Sequence, residues 1–238
     1  VFRCARKTGI VPDTTELVHI GFGTMNGKDG KPFKTRDGGV MRLEYLLKEI
    51  DDEMLNKIKE NQKEKENLNI DEAEAKQTAK TVALAAVKYG DLSNQASKDY
   101  VFDIDRFTSF EGNTGPYILY TIVRIKSILS KYEAKGGDIS ALKDAIMPAV
   151  NAGQKNLMLS LAKFNATIES AYEESAPHKI CAYIYELANA FNGFYHDTKI
   201  LSEENEELKK SYISLLVLTK QILEACIDML GFSAPDRM

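Results

Sequence analysis

The stretch from Ser109 to Leu129, SFEGNTGPYILYTIVRIKSIL, decides how the rest of the chain is read. Gly115 and Pro116 mark a helix start, because a proline in the first turn gives up only an N–H that has no helical partner there. At 100° per residue Ile118, Ile122, Ile125, Leu129 and Tyr132 fall in one stripe about 80° wide, which predicts a helix with one buried face. Tyr117, Tyr120, Arg124 and Lys131 fall in a neighbouring sector. Two tyrosines and an arginine on one exposed face supply stacking planes, phenol hydroxyls and a guanidinium, the equipment for holding unstacked bases. An amphipathic helix with tyrosines at the edge of its core accounts for the same residues.

Working outward, the neighbouring segments are helical too. Asp71 caps DEAEAKQTAKTVALAAVKY, and Gly90 is expected to end it. An irregular run, DLSNQASKDYVFDIDRF, leads into the quoted helix, and KGGD from Lys135 to Asp138 follows it. Further helices are expected from Ser140 to Val150, from Leu157 to about Glu174, from Pro177, and from a cap at Ser202 to a stop at Gly231. This is the parts list of a mainly α protein, an antiparallel helical bundle with short connections. Upstream, Leu43 to about Lys59 reads as a charged amphipathic helix, and the polar Asn61 to Leu68 as a linker or an exposed helix end.

The chain has 238 residues, 44% of them hydrophobic and 28% charged, with a net charge of −4. These values suit a globular chain with a real core and argue against an indiscriminate nucleic-acid binder, though not against a selective one with local positive charge. Three cysteines, Cys4, Cys181 and Cys226, form no C-x-x-C pair, which suits a reducing cytoplasm. His178 and Cys181 share a helix face but lack the further ligands of a zinc site, and Cys226 lies in an apolar helix, so no metal is expected. Asp103, Asp105 and Glu111 read as structural hydrogen-bonding groups. Glu203, Glu204, Glu206 and Glu207 suit the positive end of a helix. No apolar run reaches the ~18 residues of a membrane span.

Positive charge gathers around one loop. LVHIGFG, from Leu17 to Gly23, reads as a short buried strand, followed by MNGKDGKPFKTRDGGV. In that loop Gly27, Gly30, Gly38 and Gly39 let the main chain approach a phosphate, while Lys28, Lys31, Lys34 and Arg36 supply cations. The Walker pattern is absent, and a solvated basic surface loop is the competing account. A single strand cannot satisfy its own N–H and C=O groups. The chain is therefore expected to be the back part of a longer protein, and the strand by itself to pair unusually or lie loose.

These stretches also carry a resemblance. HIGFGTMNGKDGKPFKTRDGGVMRLEYLL resembles the late catalytic-domain segment of bacterial arginyl-tRNA synthetases, with their variant of the K-M-S-K-S loop. DLSNQASKDYVFDIDRFTSFEGNTGPYILYTIVRI, APHKICAYIYELANAFNGFYH and the closing LGFSAPDRM resemble that family's anticodon-binding domain, in the family's order. The resemblance implies three parts: a remnant of a Rossmann-type α/β catalytic domain over 1–60, connecting stem helices over 61–108, and the helical anticodon-binding domain over 109–238. It implies a ligase that activates L-arginine with Mg-bound ATP and charges tRNA-Arg, a cytoplasmic monomer without membrane contact.

Residue by residue, Lys31 and Lys34 take the places of the lysines that stabilise the ATP phosphates, with Thr35 and Arg36 as neighbours. KPFKT departs from K-M-S-K-S, yet charge developing on the leaving pyrophosphate still needs preorganised cations. His19-Ile20-Gly21 imitates the class I His-Ile-Gly-His signature, but Phe22 stands in place of the second histidine. His19 is instead expected to line or flank the nucleotide pocket. Tyr117, Tyr120 and Arg124 would receive the splayed anticodon loop. Tyr195 and Met238 would shape the pocket for the middle base, a cytosine, although a core aromatic and a frayed terminus describe those two equally well. With the histidine signature outside the chain, the fragment is expected to be inactive alone and to hold no cofactor. The alternative is a free-standing tRNA-binding or helical scaffold module without ligase activity.

Overall fold

The computed structural model describes residues 1–31, 43–64, 71–142 and 145–238. In chain order its elements are α1 (Phe2–Lys7), β1 (Met25–Asn26), α2 (Leu43–Glu64), α3 (Glu72–Leu92), β2 (Tyr100–Val101), α4 (Ile104–Phe107), α5 (Gly115–Ala134), α6 (Ala152–Ala162), α7 (Phe164–Glu173), α8 (Pro177–Asp197) and α9 (Glu206–Met229). The mainly helical expectation is met.

Helices α2 and α3 form a pair whose contact follows from residue size. Leu46, Ile50, Met54 and Ile58 recur every fourth residue on α2 and are buried, while α3 answers with Ala75, Ala79, Val82, Ala83 and Ala86. Small side chains let the axes approach closely. The Asp71 carboxylate accepts the Glu74 N–H at 2.8 Å, the cap the sequence implies. Helix α2 runs on to Glu64, so the polar segment begins as helix.

Gly90 does not end α3, which continues to Leu92. A Cβ on Gly90 would come within 2.5 Å of the Phe107 ring. The residue is small because α4 seats its phenylalanine there, and that ring in turn meets Phe102 edge-on at 4.8 Å.

In α5 the Thr114 hydroxyl caps by accepting the Tyr117 N–H at 3.2 Å. Ile118, Ile122, Ile125 and Leu129 are buried as the periodicity requires, joined by Leu119, Thr121 and Ile128. Helix α8 starts at Pro177 and buries Ile184, Leu187, Phe191 and Phe194. Against it α9 sets Tyr212, whose ring meets Phe194 edge-on at 5.3 Å, and α9 also buries Leu215, Leu216 and Leu223. Gly231, at φ +80°, closes α9 with the Phe232 N–H donating to the Ile227 carbonyl at 3.1 Å, the αL ending that glycine favours. Burial pushes the Cys181 and Cys226 thiols up to about 12, so both behave as small apolar residues.

Four further expectations fail for tertiary reasons. Residues 17–23 form no strand: Val18, Ile20 and Phe22 are 59%, 50% and 90% exposed. Sheet pairing needs a neighbour, and among the described residues the only ladder is the two-residue parallel one of Met25 with Tyr100 and Asn26 with Val101. Among the described residues of 140–150 there is one 3-10 turn, Ser140–Leu142, and no helix. Pro148 disfavours helical backbone at Met147. The Met147 N–H goes to Ser211 Oγ and the Val150 N–H to Gln154 Oε1, both at 2.9 Å. The single helix expected from Leu157 is two, α6 from a cap at Asn151, then α7 after a break at Lys163. The cap of α9 is Asn205, whose side chain takes the Leu208 N–H at 3.1 Å, while Ser202 sits in a 3-10 turn.

Candidate nucleic-acid interface

The site is the seam between α5 and α8. Tyr117 meets Tyr185 and Asn189, Thr121 meets Asn192, and Arg124 meets Asn192 and Tyr195. Partner numbers rise together on both helices, so the two run side by side in the same direction along the seam.

The polar contacts form one network. The Tyr117 hydroxyl donates to Asn189 Oδ1 at 2.6 Å and accepts from Asn192 Nδ2 at 3.0 Å. Asn192 Nδ2 also reaches Thr121 Oγ1 at 3.2 Å, and its Oδ1 accepts from Arg124 Nη1 at 2.5 Å. The guanidinium carbon of Arg124 lies 4.7 Å from the Tyr120 ring centroid and 5.4 Å from that of Tyr195. Each such cation–π contact contributes about 0.5–1 kcal/mol at a partly exposed position. Tyr195 is 41% exposed and stacks over the buried Phe191 at 6.0 Å and 21°. Tyr117 and Tyr120 are half-buried. Among the described residues no carboxylate lies within ion-pair distance of Arg124. The seam therefore presents aromatic faces around a positive charge that no carboxylate among the described residues neutralises.

Tyr195 is thus half outside the core, not a buried core aromatic. The asparagines and Tyr185 escaped the sequence reading. Tyr185, Asn189 and Asn192 recur at helical spacing in YELANAFN, a signal overshadowed by the apolar stripe of the same helix. Asn192 holds three side chains at once, so Asn192→Ala should lower RNA affinity by roughly 1–2 kcal/mol through loosening of Arg124. Titration of the variant beside wild type checks this, and a double variant with Arg124→Ala should be no weaker than Arg124→Ala alone.

The terminus is tied down. Arg237 donates twice to the Glu74 carboxylate, at 3.1 and 2.8 Å, and Lys126 holds Asp236 at 3.0 Å. Met238 is half-buried against the core. These anchors lie on α3 and on the flank of α5 some 160° around from Arg124.

The loop residues are less gathered. Lys28 donates to Asp105 at 2.6 Å and pairs with Asp103 at 3.1 Å, and hydrogen bonds to those two carboxylates, Asp105 first, raise its pKa. Asp103 caps α4. Burial pushes its carboxyl up, but the bonds from Lys28 and the Arg106 and Asp105 N–H groups together bring it below the usual range. Asp103 and Asp105 are structural, as expected, and Lys28 is already engaged. Lys31 is exposed in a turn closed by the Gly27 N–H on its carbonyl at 2.9 Å. His19 is exposed on the extended segment. Lys34, Thr35 and Arg36 lie outside the described residues.

The fold is a helical bundle whose α5–α8 seam sets aromatic rings around an arginine. Residues 118–238 match the model of the DALR anticodon binding domain family, and residues 1–104 that of the class I tRNA synthetase (R) catalytic domain. Along its whole length the chain is 99% identical to an arginine–tRNA ligase of Agathobacter rectalis and 55% identical to one of Alkaliphilus oremlandii, spanning 40% and 39% of those proteins. It superposes on the arginyl-tRNA synthetase of Plasmodium falciparum with a TM-score of 0.77 and 26% identity, covering all of this chain and 38% of that one. For the Thermus thermophilus arginyl-tRNA synthetase the TM-score is 0.75 at 25% identity, over 92% and 35% of the two chains. The chain belongs to the arginyl-tRNA synthetase family, through its DALR anticodon-binding domain and the end of a class I catalytic domain.

Proposed function

We propose that the chain is the anticodon-reading and phosphate-loop part of a ligase that activates L-arginine with ATP and transfers it to tRNA-Arg, working in the cytoplasm as a monomer. The division into a catalytic remnant over 1–60, stem helices over 61–108 and an anticodon-binding bundle over 109–238 belongs to this reading. The observation that carries it is Arg124, held between Tyr120 and Tyr195 with its charge uncompensated among the described residues. Tyr117, Tyr120 and Arg124 receive unstacked anticodon bases, and Tyr195 borders the pocket of the middle base; Met238 belongs to the same reading, although its neighbours Asp236 and Arg237 are anchored on Lys126 and Glu74, away from Arg124. Lys31 and Lys34 neutralise the phosphates as pyrophosphate leaves, flanked by His19, Thr35 and Arg36. Magnesium enters on the nucleotide: the described residues hold no group of three or more His, Cys, Asp or Glu suited to an ion. Likewise, among the described residues no helix is long and apolar enough to cross a membrane.

The test is a titration of the chain with the anticodon stem-loop of an arginine tRNA, beside one whose middle anticodon base is altered. Binding should be weak, salt-dependent and selective for the unaltered loop. Tyr120→Ala should weaken it by roughly 1–3 kcal/mol, the contribution of one stacked base. Equal binding of both loops, insensitive to Tyr120→Ala, would remove the proposed anticodon-reading surface, and binding to neither would leave a helical scaffold without an RNA role.

A further inference from the structure

The seam does not stop at Tyr195. Because α5 and α8 run in the same direction there, continuing both brings Lys131 of α5 and Lys199, just past α8, to the same end. Tyr120, Arg124 and Lys131 share a sector about 40° wide on α5, with Lys131 roughly 10 Å along the axis from Arg124, and Lys135 follows directly past the helix end. Beside Lys135 opens a cavity of about 640 Å³, also lined by Tyr132, Leu201, Lys209 and Lys210. Lys131, Lys135, Lys199 and Lys210 are exposed, and none pairs with a carboxylate among the described residues. The acids at this end are mostly engaged. Glu206 takes Lys209 at 2.6 Å, Asp138 caps Ser140 through its N–H at 2.9 Å and its hydroxyl at 2.6 Å, and Asp197 lies 3.0 Å from His196. Glu203 takes the Asn205 N–H at 3.1 Å, Glu207 remains in the cavity wall, Glu204 is exposed, and Glu133 is exposed on the opposite side of α5 from Lys131.

From this we infer that Lys131, Lys135 and Lys199 form a phosphate track, which takes the sugar–phosphate strand of the RNA as it leaves the bases held by Tyr120, Arg124 and Tyr195. The inference rests on the anticodon-binding reading and adds a second kind of contact to it. Base stacking selects, whereas lysine ammonium groups act as point charges that position the strand without reading it. Each phosphate neutralised on a single strand adds about 0.7 to the magnitude of the slope of log K against log salt.

The experiment measures stem-loop affinity of the chain across a salt series. The proteins are wild type, the triple variant Lys131→Gln, Lys135→Gln, Lys199→Gln, and the control Lys98→Gln, an exposed lysine in the turn before β2 whose backbone packs on Gly23. The triple variant should flatten the slope by about 2 while keeping the preference for the unaltered middle base, and the control should do neither. A triple variant with the wild-type slope, or a control that flattens it as much, overturns the track while leaving the anticodon reading intact. A wild-type chain that binds neither stem-loop overturns both.

Discussion

Arg124→Ala should weaken binding of the anticodon stem-loop by about 2–3 kcal/mol, roughly 30- to 140-fold, and erode the preference for the unaltered middle base. The guanidinium lies against both tyrosine rings and is oriented by Asn192. Its removal deletes a charged donor from the RNA contact and frees Tyr120 and Tyr195 to turn away from their stacking positions. Arg124→Lys separates the two losses. A lysine keeps the charge and therefore most of the salt dependence, but lacks the plane that fits between rings. The expected order is wild type, then lysine, then alanine, with selectivity already reduced in the lysine variant. The thermal midpoint should hardly move in either, since Arg124 is half-buried and outside the apolar stripe of its helix.

Gly115→Ala should destabilise the fold by about 3 kcal/mol, at the upper end of what overpacking does. A Cβ there would fall on the Ala85 carbonyl group, 2.6 Å from its carbon, and a main chain cannot turn aside as a side chain can. Helix α5 begins at this point, so the first turn of α5 and α3 would have to part. Two other glycines calibrate the effect. At Gly90 the added carbon meets the Phe107 ring, which can shift, so the loss should be smaller. At Gly193 nothing lies within 4 Å, and alanine should stabilise α8 by roughly 0.5–1 kcal/mol through helix propensity. Urea midpoints of the three variants read the order directly. A Gly115→Ala chain as stable as wild type would mean that α3 and α5 are not in contact there.

Several of these structural features stood in the sequence. Ile118, Ile122, Ile125 and Leu129 announce the buried face of α5, and with it the exposed sector that carries Tyr120 and Arg124. Asp71, Pro177 and Gly231 mark helix ends because capping acts within a few residues of chain. Gly90 and Ser202 look like the same kind of signal and are not. One is small to admit Phe107 from another helix, and the other is passed over for Asn205 three residues later. The segment at 17–23 has strand composition and no strand, since composition cannot supply a hydrogen-bonding neighbour.

The sequence by itself determined most of the helices, where hydrogen bonds join residues four apart, and the family, whose motifs are contiguous. Only the tertiary structure decided that α5 and α8 lie side by side in the same direction. That one packing choice brings Asn192 under Arg124 and sets Tyr195 against it, across some 70 residues of chain. It also decided that Lys28 is held by Asp103 and Asp105 and not left to the loop. Contacts of that span depend on which faces meet when the core closes, and no local period in the chain encodes the meeting.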